Sequence, residues 1–475
     1  MFQTVLFHLQ NLSESKNDIY FVFNFEIPLK INLRIQYCLV IMSKHTNTAK
    51  IIYVLLDGVG DLTNTSLNEL TPLEAAYTPN MDSLARNGCM GRVITVGKGI
   101  APQSDIAVFN MLGYSFKDGS YVGRGVIECI GCNIDFREGD LALRGNFATV
   151  DNELKIIDRR AGRDISSEES HALCKTLREN ISFSDKDASI ILEPTVGHRT
   201  VIRFRHSQKK LSDKVTNTDP AYDKINGMGI ANKTVSNMHL LKSIPVENIE
   251  SAKLSAKLIN EFTEKAIKIL NTHPVNINRA KIGKKIINAI IVRDSGNRYP
   301  QVVPINKKYD MKISCIVDMP VEIGISKILG MKAFEAGNID NYELKAEVSA
   351  KALEEYDLVY VHIKGPDEFG HDGDARGKKK NIEQIDKRFF GTLINKLNTD
   401  NSTIIISADH CTPCTLKSHS DHPVPILVSG NMINRDGTAR FTEKYGEKGS
   451  MGMIAGENVL MMILNIILKD KAADL

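Results

Sequence analysis

The sequence has no internal repeat, no long apolar run and no excess of charge of one sign. Each absence excludes a class of protein. A membrane-spanning helix needs about 20 consecutive apolar residues. The longest uncharged candidates, residues 35–42 and 458–468, fall short of that, so no membrane partner is expected. Lys and Arg number 60 against 57 Asp and Glu, a formal net charge of +3. That balance lacks the concentrated basic surface of a nucleic-acid binder. The run Lys378-Lys379-Lys380 is expected to be a solvated loop face. Eight cysteines in 475 residues are too few for a disulfide framework. A basic start followed by an apolar run and a small-residue cleavage site is also missing. Together these predict a cytoplasmic, reducing setting. The CxxC pairs Cys129/Cys132 and Cys411/Cys414 read as small buried residues near turns, with a zinc site as the alternative.

What is present supports a large core. The chain is 42% hydrophobic and 25% charged, and its length suits two or three domains. Residues 1–47 are rich in Phe, Asn and Ile and are expected to form an extension outside the fold. Met42 is a candidate start, with 1–41 dispensable. Residues 51–56 form a continuous apolar run rich in β-branched side chains, as in a strand buried on both faces. Similar strands are predicted at 313–317, 358–363, 403–407 and 424–428, with helices near 81–87, 105–112, 325–329 and 382–397. This alternation predicts an α/β, doubly wound core built from residues 48–115 and 310–475. Residues 116–309 differ, with short alternating strands such as 200–204 and one amphipathic helix over 249–270. They are expected to be an inserted α+β lid domain.

Asp57, Asp367 and Asp409 each fall just beyond a predicted parallel strand, the edge where open α/β sheets bind ligands. His371 follows Asp367 by four residues, His410 adjoins Asp409, and His419 comes shortly after. A lone Asp after a strand is often only a cap or turn residue. The set is a stronger signal, because carboxylate and imidazole donors together suit Mn²⁺ or Zn²⁺ better than Mg²⁺. Ser104 is expected at a helix N-terminus, where free N–H groups and the helix dipole favour phosphate. Asp105 is either a general acid/base or a favourable first-turn carboxylate.

Several segments resemble a known superfamily, the alkaline-phosphatase-like metalloenzymes. They are Leu55-Leu56-Asp57-Gly58, Thr78-Pro79-Asn80-Met81-Asp82-Ser83-Leu84-Ala85, Ser407-Ala408-Asp409-His410 and His419. Within it, further segments resemble the archaeal-type cofactor-independent phosphoglycerate mutases. These are Ala101-Pro102-Gln103-Ser104-Asp105, Gly123-Arg124-Gly125, Asn146-Phe147-Ala148-Thr149-Val150, Asp158-Arg159-Arg160-Ala161-Gly162-Arg163, His273-Pro274-Val275-Asn276 and Pro366-Asp367 through Gly370-His371. The likeness covers residues 48–475. It implies an alkaline-phosphatase-like core with a lid, and two divalent metal ions, Mn²⁺ first, with Mg²⁺, Co²⁺ or Zn²⁺ as alternatives. It assigns one metal to Asp367, His371 and His419, and the other to Asp57, Ser104, Asp409 and His410. Two departures stand out: Cys411 where the family tends to have Ser, and Arg293-Asp294-Ser295-Gly296 where it tends to have Arg-Gly-Ala-Gly.

The implied reaction interconverts 3- and 2-phosphoglycerate through a phosphoserine on Ser104, without 2,3-bisphosphoglycerate. Arg160 and Arg163, three residues apart, can grip a carboxylate or phosphate in forked geometry and are preferred to Arg159. Arg293 and Lys327 are weaker substrate candidates, and Lys327 also reads as a solvated helix residue. The alternatives are a metal-dependent phosphatase or phosphonate- or sulfate-ester hydrolase, a phosphopentomutase-like enzyme, and a non-catalytic metal-binding regulator. The sequence is silent on oligomeric state.

Overall fold

In the computed structural model, the apolar run at 51–56 becomes the centre of a sheet. The structure describes residues 50–116, 119–225, 228–231, 238–397 and 401–473. The expected extension therefore lies outside the described residues. Strand Lys50–Leu56 pairs in parallel with Leu358–Ile363 on one side and Ser402–Ser407 on the other. Nearly every side chain of these strands is buried, odd and even alike. Both faces are thus covered, which explains why the runs do not alternate.

Among the described residues the sheet has eight strands, ordered Lys332–Phe334, Ile313–Ile316, Leu358–Ile363, Lys50–Leu56, Ser402–Ser407, Val424–Ser429, Gly88–Ile94 and Met453–Ala455. The first five run parallel. Val424–Ser429 runs antiparallel to both its neighbours. A strand buried on both faces has the same apolar signature in either direction, so its sequence does not report orientation. The fold is mixed α/β, as its residue pattern predicts.

A second, antiparallel sheet lies wholly within residues 116–309. It orders Ile156–Asp158, Leu141–Val150, Arg199–His206 and Ala188–Pro194, and Ala289–Gly296 also pairs with Leu141–Val150. One face carries Leu141, Leu143, Ile202, Phe204, Ile290 and Val292. These pack with Leu173 and Leu177 of helix Ser167–Asn180, and with Leu258, Ile259 and Phe262 of helix Glu250–Asn271. The amphipathic helix is thus the cover of this sheet.

Helix Arg124–Gly131 joins the two sheets. It packs on the second sheet and on helix Pro320–Leu329. The two helices touch backbone to backbone: a Cβ at Gly131 would fall 1.8 Å from the Pro320 carbonyl oxygen, and one at Gly324 would fall 2.0 Å from that of Ile127. No residue larger than glycine fits either place without separating the helices.

Of the lysine run, Lys378 departs from the expected solvated role, whereas Lys380 is exposed. Ala375, Lys378 and Ile382 share the buried face of helix Ala375–Gln384. The Lys378 ammonium pairs with Asp61 at 2.8 Å and donates to the Gly60 and Thr412 carbonyls at 3.1 and 2.9 Å. It ties the loop after Asp57 to the loop after His410. Lys378→Met leaves the Asp61 carboxylate buried and unpaired, and should cost about 3–5 kcal/mol in denaturant unfolding. Lys380→Met, at an exposed position, should stay within about 0.5 kcal/mol.

Candidate active site

Three adjacent parallel strands end at one rim and deliver three carboxylates there. Asp57 follows Lys50–Leu56, and Asp409 follows Ser402–Ser407. Asp367 lies in the first turn of helix Pro366–Asp372, which begins just after Leu358–Ile363. Ser104 opens helix Ser104–Met111, after an extended Gln103.

The donor atoms fall into two groups. In the first, His371 Nε2 and His419 Nε2 face each other at 3.2 Å, and Asp367 reaches them at 3.6 and 3.4 Å. The far nitrogens of both rings meet backbone carbonyls, His371 Nδ1 with Lys417 at 3.1 Å and His419 Nδ1 with Pro102 at 2.6 Å. Each Nδ1–H donates there, which orients the Nε2 lone pairs toward the shared centre. The second group surrounds His410 Nε2: Ser104 Oγ at 3.1 Å, Asp409 Oδ2 at 3.2 Å and Asp57 Oδ1 at 3.4 Å. The rings of His410 and His419 stack at 3.8 Å, so the groups are neighbours. Thr412 Oγ1 donates to Asp367 Oδ1 at 2.7 Å and contacts His410 Nδ1 at 3.0 Å.

This donor set fits divalent cations. Asp57 Oδ1 and Asp409 Oδ2 are buried and accept no hydrogen bond within the described structure. Burial, helped by neighbouring Asp409 and Asp367 and opposed by Lys364, pushes the Asp57 carboxyl up to about 7. Burial alone would raise Asp367 too, but the hydrogen bond from His419 and the neighbouring imidazoles, His371 first, hold it well below its usual range. Burial would lower His419. The hydrogen bond and charge of Asp367 outweigh that and lift it to about 9. Burial wins at His410, which falls to about 3 and presents a neutral ring.

Against known proteins, the chain matches the family model described as 2,3-bisphosphoglycerate-independent phosphoglycerate mutase over residues 85–276. The mutase of that name from Aeropyrum pernix is 39% identical over 416 residues, which span 86% of this chain and 96% of the relative. The chain belongs to the 2,3-bisphosphoglycerate-independent phosphoglycerate mutase family. The enzyme is thus an isomerase. The mutase from Methanopyrus kandleri is 34% identical across 88% of this chain and 96% of its own. Among solved structures, a Pyrococcus horikoshii protein superposes with TM-score 0.70 at 27% identity, covering 89% of this chain and 98% of that one. The cofactor-independent phosphoglycerate mutase of Thermoplasma acidophilum gives 0.57 at 28% identity, covering 88% and 100%.

The other residues singled out in the mutase sequence sort differently. Asp105 is buried, with Tyr121 donating to its Oδ2; its Oδ1 accepts no hydrogen bond among the described residues and lies 3.9 Å from Arg124 Nη1. Arg160 is partly buried, and its guanidinium has no hydrogen-bond or ion-pair partner among the described residues; burial, then the charge of Arg163, pushes its pKa down. Arg163 pairs with Asp372, beside His371. Arg293 is buried, pairs with Asp219 at 2.9 Å and lies 4.3 Å from the Tyr222 ring centroid. Lys327 plays a structural role. Its Nζ binds the Ile130 and Gly131 carbonyls at 3.1 and 3.2 Å and Asn133 at 2.6 Å, where helix Arg124–Gly131 ends. That contact uses its charge at a helix C-terminus, and we leave it out of the substrate site. Neither CxxC pair joins a group of metal-donor atoms among the described residues, and burial raises Cys132, Cys411 and Cys414 to about 12.

Sequence reasoning missed Arg144, Arg199 and Lys364. Arg144 stands directly opposite Arg293 in the second sheet, and Arg199 opposite Asn146. These positions share the face turned away from the apolar core, because side chains two apart on a strand point the same way. A lone cation in strand Leu141–Val150 was the available signal for Arg144. Lys364, which pairs with Asp57 at 2.9 Å, lies just before the Pro366-Asp367 motif.

His419 also sets a pH dependence. A cation at its Nε2 displaces the proton that Asp367 holds there. Mn²⁺ affinity of the metal-free protein should rise with pH, by up to about tenfold per unit, and level off above about 9. Calorimetric titration across that interval tests this; a flat profile excludes the ring as a ligand.

Proposed function

We propose that the mutase stores the phosphoryl group on Ser104 at a site holding two divalent cations. Asp367, His371 and His419 hold one, and Asp57, Asp409, His410 and Ser104 hold the other. The mixed oxygen and nitrogen donors favour Mn²⁺. When bound, the cations lower the pKa of the serine hydroxyl and offset charge on the phosphoryl oxygens. The observation that carries this reading is Ser104 Oγ, 3.1 Å from His410 Nε2 at the start of a helix. There the free backbone N–H groups favour phosphate oxygens.

Ser104 Oγ gives its proton to Asp105 and attacks the phosphorus of 3-phosphoglycerate, and the bond from phosphorus to the 3-oxygen breaks. That oxygen takes the proton from Asp105 and leaves as the 3-hydroxyl of glycerate. Glycerate turns, its 2-hydroxyl gives its proton to Asp105 and attacks phosphoserine, and the serine oxygen departs with that proton. Asp105 suits this exchange because its Oδ1 is buried and accepts no hydrogen bond among the described residues. Because the enzyme carries the phosphate, 2,3-bisphosphoglycerate is not needed.

Glycerate must not escape and water must not enter. We assign both roles to the second sheet as a lid. Arg144 and Arg293 oppose each other across two strands, with Arg199 on the same face, although like charges in such positions repel. Burial, and then other arginines, hold Arg144 and Arg199 below their ordinary pKa. An anion between them offsets that repulsion, as the carboxylate and phosphate of phosphoglycerate do. Arg160 supplies a further unpaired guanidinium. No described helix is long and apolar enough to cross a membrane. We place the enzyme in the cytoplasm.

Ser104→Ala should reduce kcat by at least about 10³-fold in an enolase-coupled assay, while still binding cations. Retained turnover would exclude the phosphoserine route. Release of inorganic phosphate in place of 2-phosphoglycerate would mark a hydrolase. Arg199→Met should raise KM for 3-phosphoglycerate by about 10- to 100-fold. It should not lower the melting temperature of the free enzyme, because it removes a like charge.

A further inference from the structure

Behind the site, a chain of buried charge joins two of the proposed ligand carboxylates. Lys364 Nζ lies 2.9 Å from Asp57 Oδ2 and also pairs with Glu322. Glu322 Oε1 lies 3.0 Å from His362 Nδ1, and His362 Nε2 lies 3.5 Å from Asp409 Oδ2. The other Glu322 oxygen accepts the backbone N–H groups of Asp318 and Met319, at 3.4 and 3.3 Å, which pins it to the start of helix Pro320–Leu329. His362 is fully buried and Glu322 is 2% exposed, so water screens these charges little.

Acid and base alternate along Asp57, Lys364, Glu322, His362 and Asp409, and both ring nitrogens of His362 face carboxylates. Neutralising Glu322 removes one negative charge from the chain; removing the ammonium of Lys364 removes one positive charge. The other donor group has no such backing. Among the described residues Asp367 forms ion pairs only with the imidazoles of His371, His410 and His419, and accepts a hydrogen bond from the uncharged Thr412.

We propose that Glu322 is a positioning residue: acting through Lys364 and His362, its charge sets the cation affinity of the Asp57/Asp409 position and leaves the Asp367/His371/His419 position alone. The inference rests on the two-cation reading above. A scaffold made only of contacts weakens whichever link is cut. A charge chain instead responds with opposite sign at Glu322 and Lys364, and that difference is the test.

The measurement is calorimetric titration of the metal-free full-length enzyme with Mn²⁺ alone. An Asp367→Asn variant identifies which binding equivalent belongs to the Asp57/Asp409 position. Glu322→Gln should weaken that equivalent by at least about tenfold and shift the other by less than about threefold. Lys364→Met should tighten it. The double variant should return to within about threefold of the parent, because it restores the charge sum. Circular dichroism checks that each variant is folded; if Glu322→Gln does not fold, Lys364→Met and the double variant decide. Weakening by both single variants, or equal movement of both equivalents, overturns the proposal. Fewer than two equivalents in the unsubstituted enzyme overturns the two-cation reading itself, a result visible before any variant of the chain is made.

Discussion

Buried charges of one sign cannot be gathered without a counter-charge, and the fold gathers Asp57, Asp367 and Asp409 at the ends of three neighbouring parallel strands. Much around the rim answers that constraint. The rings of His371, His410 and His419 close over the carboxylates. Lys364 approaches Asp57 from behind. Even so, burial, with Asp409 and Asp367 nearby, outweighs Lys364 and holds Asp57 up at about 7. In the proposed reading, divalent cations complete the balance, and the same charge would activate Ser104, a residue that is otherwise a poor nucleophile.

The second sheet carries the opposite imbalance. Arg144, Arg199 and Arg293 share one of its faces, partly offset by Glu128 beside Arg144 and Asp219 beside Arg293. In the proposed reading, the phosphate and carboxylate of phosphoglycerate supply further negative charge there, and the two sheets meet through the substrate as well as through direct contact. Helix Arg124–Gly131 sets their spacing, because the glycine contacts at Gly131 and Gly324 allow no slack.

The candidate ligands were legible because each has a local signature. Asp57, Asp367 and Asp409 stand where an apolar strand stops. His371 is one helical turn beyond Asp367, and His410 adjoins Asp409. Glu322, His362 and Arg199 have no such signature. Glu322 reads as an ordinary first-turn carboxylate, His362 as a polar interruption in a strand, and Arg199 as a surface cation. Burial and register give them meaning, and both arise only when distant segments pack. Lys378 shows the same limit, since its neighbours suggested a solvated run whereas the period of its helix turns it inward.

By itself the sequence determined the α/β class, the family and the acid and imidazole side chains that stand as candidate ligands, because those depend on strand periodicity and on side-chain chemistry at strand ends. Tertiary structure decided which donors share a centre, which arginines face one another, which way strand Val424–Ser429 runs, and that Lys327 closes a helix end. Those are facts about pairs of segments far apart in the chain. A local pattern carries no information about what lies across a sheet or against a helix face until the backbone has brought the two together.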